Sequence, residues 1–355
     1  MQRRQLLAGM AVCSLAGRAA RARTLVDDGA AIDAWAAANR FAGVAAIGRR
    51  GKAIATRCFG LASIEDQQPA TPTTKYAIGS ISKWFTTAAV LRLCDQGCLT
   101  LDAPLATWLP AIEGAAGTEV RLVDLLCNSS GIPDRLIAAA KTDPAIRSSE
   151  ASAGEMVARF VTGDLAFVPG ARFDYTVLNW VIVRALLERV TGAPFAALMR
   201  DLVLEPAGVP GVGIAEHGFA GVPGLAPAYR SSGPPVRKLD SVPGFAAASG
   251  TFYANAGDLV TAAHAIFGAR LLSPTSRKAM LTVRMVEDDY AIGGRVRVLD
   301  GRTWAWETGR IGGYRAHVAH DTADDRTIVV LGNTDMDQGV IEMLVETLAG
   351  ADGRA

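Results

Sequence analysis

The amino-acid sequence predicts an α+β fold: one antiparallel sheet assembled from both ends of the chain, flanked by helices and carrying a large helical insert. Two strand-like apolar runs lie early, at 41–48 and 53–60, and four more lie late, at 291–299, 303–308, 314–320 and 327–331. Between them, from Ser80 to about Leu281, apolar residues recur almost entirely at helical spacing. Strands at both ends of a helical middle point to one sheet. A functional cleft is expected where sheet and helical part meet, since such junctions commonly hold ligands.

Taken in order, residues 24–39 carry helical periodicity. The runs 41–48 and 53–60 are joined by Arg49-Arg50-Gly51-Lys52, which reads as a β-hairpin. The segments 86–93, 122–126, 154–160, 180–190 and 256–267 have 3.6-type spacing and are separated by Gly- and Pro-rich turns. The late strands follow, and a helix over 339–348 closes the pattern. The expected organisation is an export segment over 1–22 and one domain over 23–355, with a sheet part of about 24–79 and 285–355 and a helical part of about 80–284. Residues 134–165 and 205–245 are expected to shape the pocket.

Half of the 355 residues are hydrophobic and 20% are charged, which suits a globular chain and excludes extensive disorder. Formal net charge is +1, with 36 basic and 35 acidic residues. Without Arg3, Arg4, Arg18 and Arg21 of the export segment, the balance turns slightly acidic. Nothing electrostatic therefore points to nucleic acid or to a membrane surface. Gln2-Arg3-Arg4-Gln5-Leu6-Leu7 resembles a twin-arginine start, and Ala20-Arg21-Ala22 fits small-x-small cleavage. The apolar run between them is too short to span a bilayer. A periplasmic or secreted protein without stable membrane insertion is the expectation.

Cys58, Cys94, Cys98 and Cys127 are expected as buried free thiols, because Cys94 and Cys98 fall at i and i+4 on a predicted helix, a poor geometry for a bridge. No metal-ligand spacing and no cofactor-binding pattern is found. His317-x-x-His320 lies on a predicted strand, where an odd offset sends the two rings to opposite faces.

Ser80-Ile81-Ser82-Lys83 carries the chemistry. Positions i and i+3 share a helix face, so the Ser80 hydroxyl and the Lys83 amine would lie side by side. An unassisted serine hydroxyl is a weak nucleophile, and an adjacent amine can take or relay its proton.

In its ordered motifs the chain resembles the class C β-lactamase-like serine hydrolases, a family that includes cephalosporinases, D-alanyl-D-alanine carboxypeptidases, aminopeptidases and family VIII esterases. Lys75-Tyr76-Ala77-Ile78-Gly79-Ser80-Ile81-Ser82-Lys83 resembles the nucleophile segment, and Leu99-Thr100-Leu101-Asp102-Ala103-Pro104 follows at the usual place. Leu125-Leu126-Cys127-Asn128-Ser129-Ser130-Gly131-Ile132-Pro133 matches a further stretch, with Asn128 in a position usually held by histidine. Pro169-Gly170-Ala171-Arg172-Phe173-Asp174-Tyr175 and Ser249-Gly250-Thr251 with Asp258-Leu259 match later ones. The resemblance implies a β-lactamase/transpeptidase-like fold and an acyl–Ser80 intermediate. It implies that Lys83 and Tyr175 share the base and acid roles, which a tyrosine can do only if nearby positive charge favours its phenolate. It also implies an oxyanion hole made by the backbone N–H groups of Ser80 and Arg310, and substrate contacts from Val177, Glu307, Thr308 and Gly309.

Two positions depart from that pattern. The second motif, normally Tyr-x-Asn, reads Tyr175-Thr176-Val177, and Val177 cannot donate the amide hydrogen bond that penicillins and muropeptides use. Asn179 lies about 200° further around a helix and is a poor substitute. The third motif, normally Lys-Thr-Gly or His-x-Gly, reads Glu307-Thr308-Gly309. A carboxylate there would disfavour the tyrosinate, favour charged Lys83 and repel an anionic substrate, unless Arg310 or Arg315 neutralises it. The expectation is an exported serine hydrolase acting on a small-molecule ester or small amide. A β-lactamase or D-alanyl-D-alanine carboxypeptidase is one alternative, and a non-catalytic binder of peptidoglycan fragments is another. Oligomeric state is not legible.

Overall fold

The computed structural model describes residues 25–231, 236–238, 242–268 and 270–350. The export reading of residues 1–22 lies outside them. Helix α1 (Leu25–Asn39) leads into strands β1 (Gly43–Arg49) and β2 (Lys52–Phe59). The helical part holds α2 (Ser82–Asp95), α3 (Arg135–Thr142), α4 (Val177–Thr191) and α5 (Ala256–Phe267), with several shorter turns of helix. Strands β3 (Arg295–Leu299), β4 (Arg302–Ile311), β5 (Tyr314–Asp321) and β6 (Arg326–Gly332) follow, and then α6 (Gln338–Ala349).

The sheet order is β2-β1-β6-β5-β4-β3. The joint between the two chain ends is the antiparallel pair β1–β6, running from Gly43 opposite Gly332 to Arg49 opposite Arg326. This is the sheet built from both ends that the strand distribution predicts. Its central strands are buried on both faces, so alternation sorts side chains between two cores rather than between core and water. Ala45, Ile47, Trp304, Trp306, Ile328 and Val330 pack under α1 and α6 with Ile32, Ile341 and Leu344. Val44, Ala46, Val318, Val329 and Leu331 join the helical part instead.

His317 and His320 obey the same alternation. His317 meets Trp306 edge-on, whereas His320 stacks on Phe267 of α5.

Eleven of the fourteen residues of α2 are buried. A helix apolar on every side belongs in an interior, and this one carries Lys83 there with it.

Two expectations are corrected. The middle of the chain is less helical than its spacing suggests: a three-stranded ribbon of Tyr76–Ala77, Phe252–Ala254 and Gly213–Ile214 crosses it. The segment 215–231 has no helix. The four cysteines among the described residues are free, but only Cys127 of them is buried. Cys58 and Cys94 are partly covered and Cys98 is exposed, because α2 ends at Asp95 and leaves Cys98 in the following turn. Among the described residues, no helix is long and apolar enough to cross a membrane, and no group of His, Cys, Asp or Glu side chains is arranged to hold a metal ion.

Candidate active site

The nucleophile turn is a 3-10 turn, Gly79–Ile81, running directly into α2. Ser82 holds it closed: its hydroxyl donates to the Gly79 carbonyl at 2.5 Å and accepts from the Phe252 N–H at 3.2 Å. Gly79 has φ +51°, and a Cβ built on it would lie 2.7 Å from the Arg310 nitrogen. The position therefore needs glycine twice over, for conformation and for close approach. Gly309 is its counterpart, since a Cβ there would fall 1.9 Å from the Ile78 carbonyl oxygen. The two backbones touch, which brings the Arg310 backbone nitrogen against Gly79, the residue before Ser80. The Arg310 side chain is exposed and lines a separate surface depression with Arg315, Asp335 and Asp337.

Tyr175 arrives from a loop clamped by the 128–131 segment. Asp174 N–H donates to the Asn128 carbonyl at 2.7 Å, Gly170 to Ser129 at 2.8 Å and Ala166 to Gly131 at 2.7 Å. Beyond it, Thr176 caps α4 by accepting from the Asn179 N–H. Asp134 adds a second cap, accepting from Val177 N–H at 2.9 Å and Leu178 N–H at 3.4 Å, while its other oxygen caps α3 through Ile137 N–H at 2.9 Å. A helix N-terminus leaves several N–H groups without intrahelical partners. Asp134 satisfies some at two helices and so locks them together next to Tyr175.

The structure brings Ser80, Lys83 and Tyr175 together. Ser80 Oγ lies 2.5 Å from the Tyr175 hydroxyl. Lys83 Nζ donates to Ser80 Oγ at 2.9 Å, to the Tyr175 hydroxyl, and to the Ser249 carbonyl at 3.1 Å. Those three acceptors use all three protons of an ammonium. Lys83 is 2% exposed, whereas Tyr175 is 42% exposed, so the cluster is buried behind and open in front. Ser249 is the role of the Ser249-Gly250-Thr251 stretch that sequence reasoning missed: a backbone carbonyl aimed at the lysine.

The four substrate-contact assignments fare differently. Val177 opens α4 and is partly buried against the helical core. Asn179 is fully buried and accepts from Ser130 Oγ at 2.7 Å, so it does not stand in for a second-motif asparagine. Thr308 lies on the face of β4 opposite Gly309, and Gly309 abuts the nucleophile turn.

Glu307 is a correction. Strand alternation turns it inward, 1% exposed, where it cannot meet a substrate anion. Neither Arg310 nor Arg315 reaches it. Its partner is Arg295 of β3, at 3.4 Å, and the same oxygen accepts from the Thr308 N–H at 2.9 Å. Burial pushes the Glu307 carboxyl above its ordinary range, opposed by the positive charges of Arg295 and Lys83. Tyr290, also fully buried, is pushed well up by burial and then by the Glu307 charge.

A recess of about 370 Å³ opens along the end of β4, lined by Phe219, Val222, Leu225, Ile311 and Tyr314, with Arg237 and Lys238 at its rim. Ile311 of this lining also approaches the residue after Ser249, since a Cβ on Gly250 would lie 3.8 Å from its Cδ1.

A double-faced antiparallel sheet, a helical insert and a Ser–Lys–Tyr cluster at their junction define the β-lactamase/transpeptidase-like fold. The Beta-lactamase family model matches residues 23–344, and the chain belongs to that family. It is 33% identical over 177 residues to esterase EstB of Burkholderia gladioli, covering 47% of this chain and 45% of that protein. It is 32% identical over 171 residues to a D-aminopeptidase of Cereibacter sphaeroides, covering 47% of this chain and 32% of that protein. The aligned part is thus less than half the length of either relative. In fold it is similar to a penicillin-binding protein of Bacillus halodurans, with TM-score 0.77 and 23% identity over 90% of this chain and 98% of that one. It is also similar to a D-stereospecific amidohydrolase of Streptomyces sp., with TM-score 0.74 and 24% identity over 90% and 98%.

Proposed function

We propose that the protein is a serine hydrolase working through an acyl–Ser80 intermediate, with uncharged esters as its preferred substrates and small amides as secondary ones. The observation that carries this reading is the Ser80–Lys83–Tyr175 cluster, with both proton-handling groups within hydrogen-bond reach of the nucleophile. As the Ser80 proton passes to the Tyr175–Lys83 pair, Oγ bonds to the substrate carbonyl carbon and the carbonyl electron pair moves onto oxygen. The N–H groups of Ser80 and Arg310 stabilise that oxyanion. Collapse expels the leaving oxygen or nitrogen, which takes the proton back. Water then repeats the sequence on the acyl-enzyme.

The preference for uncharged esters rests on two absences among the described residues near the cluster. No cation occupies the first position of the third motif, because Glu307 is there and is already paired with Arg295. No side-chain amide replaces the one missing at Val177, since Asn179 is bonded to Ser130. A site without those groups gives little to a substrate that needs them. The recess behind Ile311 would take an apolar acyl chain, and its volume falls within the usual range for ligand pockets. The esterase relative supports the ester reading and the D-aminopeptidase relative keeps small amides in view.

Intact-mass spectrometry after mixing with a p-nitrophenyl acyl ester and, separately, a fluorescent penicillin tests this. The expected result is a transient acyl adduct with p-nitrophenol release from the ester, lost in Ser80→Ala. Fast penicillin turnover would overturn the ester preference. No adduct from any acyl donor would overturn the hydrolase reading and leave a binding protein.

A further inference from the structure

Asn128 takes no part in the acyl-transfer steps, yet its backbone and its side chain each reach toward them. It stands in the turn after the short helix Leu122–Leu126, 0% exposed, with φ +53°. Seven non-glycine residues among the described ones have a positive φ, and Asn128 is the buried one: the other six are exposed or partly exposed. Asn, Asp and His take that conformation most readily. In it, the Asn128 carbonyl accepts from the Asp174 N–H at 2.7 Å, one residue before Tyr175. The side chain makes a second bond, its Oδ1 accepting from the Trp180 indole N–H at 3.1 Å. An indole nitrogen only donates, so this bond fixes which end of the amide is oxygen. Trp180 lies in the first turn of α4, fully buried, and its ring centroid is 5.5 Å from Lys83 Nζ, within reach of a cation–π attraction. The other end of the amide, Nδ2, has no partner among the described residues. Glycine would adopt the same backbone without burying an unpaired amide. What asparagine adds over glycine is the bond to Trp180.

Resting on the hydrolase reading above, we infer that Asn128 is a positioning residue for acyl transfer: its carbonyl holds the Tyr175 loop, and its side chain holds the Trp180 ring against Lys83. One buried residue thus places both groups that flank Ser80 Oγ, Tyr175 at 2.5 Å and Lys83 at 2.9 Å. The two attachments are separable, because one runs through the backbone to the loop and the other through the amide to α4. Lys83 donates to the Ser80, Tyr175 and Ser249 oxygens, and the Trp180 ring is a further surface for its ammonium. Misplacing a reacting group by about 1 Å can cost about 100-fold in rate. Asn128 is fully buried and meets no substrate, so its loss should act on kcat and leave KM alone.

Substitutions at two positions separate the attachments. Asn128→Gly keeps the positive φ and the carbonyl and removes only the bond to Trp180, whereas Asn128→Ala removes that bond and strains the backbone besides. For a p-nitrophenyl ester, kcat should fall at least about 10-fold in Asn128→Gly and further in Asn128→Ala, with KM within about two-fold of the parent in both. Trp180→Phe keeps a ring but drops the donor, and the double variant with Asn128→Gly should be no slower than the slower single one. A structural role alone would lower the melting temperature and leave kcat unchanged wherever Asn128→Gly is folded, which overturns the inference. A raised KM at unchanged kcat, or a double loss equal to the product of the single ones, overturns it too. Asn128→Ala as fast as Asn128→Gly removes the backbone half. Should Asn128→Gly not fold, Trp180→Phe carries the side-chain half, and a parental kcat there overturns it. Ring-current shifts on the Lys83 Cε protons, assigned through Lys83→Arg, read the place of the Trp180 ring without substrate and should shrink in Asn128→Gly. If they shrink while the parent turns over no acyl donor, the hydrolase reading fails and the placement stands. If Ser80-dependent turnover is present and neither kcat nor these shifts change in Asn128→Gly, the positioning role fails alone.

Discussion

A methyl group at position 79 would lie 2.7 Å from the Arg310 nitrogen on a backbone with φ +51°, so Gly79→Ala pushes directly on the proposed oxyanion hole. The positive φ costs an L-residue about 1 kcal/mol, which a domain of this size can absorb. Displacing a fixed N–H donor costs on the order of 100-fold or more in rate. The variant should therefore fold, by circular dichroism and thermal melt, while kcat on a p-nitrophenyl ester falls at least about 100-fold with KM little changed. Activity within a few-fold of the parent would separate the Gly79–Arg310 approach from catalysis. At this scale the sequence was only partly legible. Ser80 and Lys83 declare themselves by helical spacing. Tyr175 lies 92 residues beyond Lys83 and came only through resemblance. Glu307 was visible as a departure, but its direction was not, because its partner Arg295 is set by strand pairing rather than by any local pattern. Ser249 was invisible as a lysine partner, since it acts through its carbonyl, which every residue has.

Among the elements, α3 and α4 share one capping side chain, and their joint bears on Tyr175. Asp134→Ala removes acceptors from three N–H groups, those of Ile137, Val177 and Leu178. Loss of a cap costs about 0.5–2 kcal/mol, so the two ends together should lower stability by about 1–4 kcal/mol and the melting temperature by several degrees. Asp134→Asn, with one acceptor oxygen, should lose about half as much. Because Tyr175 sits just before the capped end of α4, Asp134→Ala should also lower kcat below what its stability change explains at a temperature where it remains folded. A variant that melts with the parent would show that Thr176 caps α4 sufficiently by itself. Element boundaries in the two flanks were legible because β1, β2, β4, β5 and β6 combine apolar residues with clear turn signals. The stretch from about 208 to 254 was not. Its described Gly- and Pro-rich segments fold as loops around a three-stranded ribbon whose longest strand has three residues, too short for any periodicity to show.

For the whole molecule, a sheet buried on both faces leaves no solvent side for polar residues on its inner strands. That is why His317 and His320, sent to opposite faces by their odd spacing, both end up inside. Burial pushes His317 down to about 3 and His320 down to about 4, against about 6.5 for an unfolded histidine. Both folded values are depressed. Between about pH 6.5 and 4 the unfolded chain therefore binds protons that the folded chain refuses, and stability falls as pH falls. Glu307 and Asp124, whose carboxyls burial raises, work in the opposite direction. His317 isolates the effect, because neither ring nitrogen has a hydrogen-bond partner among the described residues and its ring packs edge-on against Trp306 at 4.5 Å. Phenylalanine keeps the ring and removes two unpaired nitrogens. His317→Phe should melt at or above the parent at pH 7 and lose distinctly less of its melting temperature between pH 7 and pH 5. An unchanged slope would place the acid sensitivity in His320 alone. A large loss of stability at pH 7 would mean that the two cores fit the smaller imidazole ring too closely to exchange it.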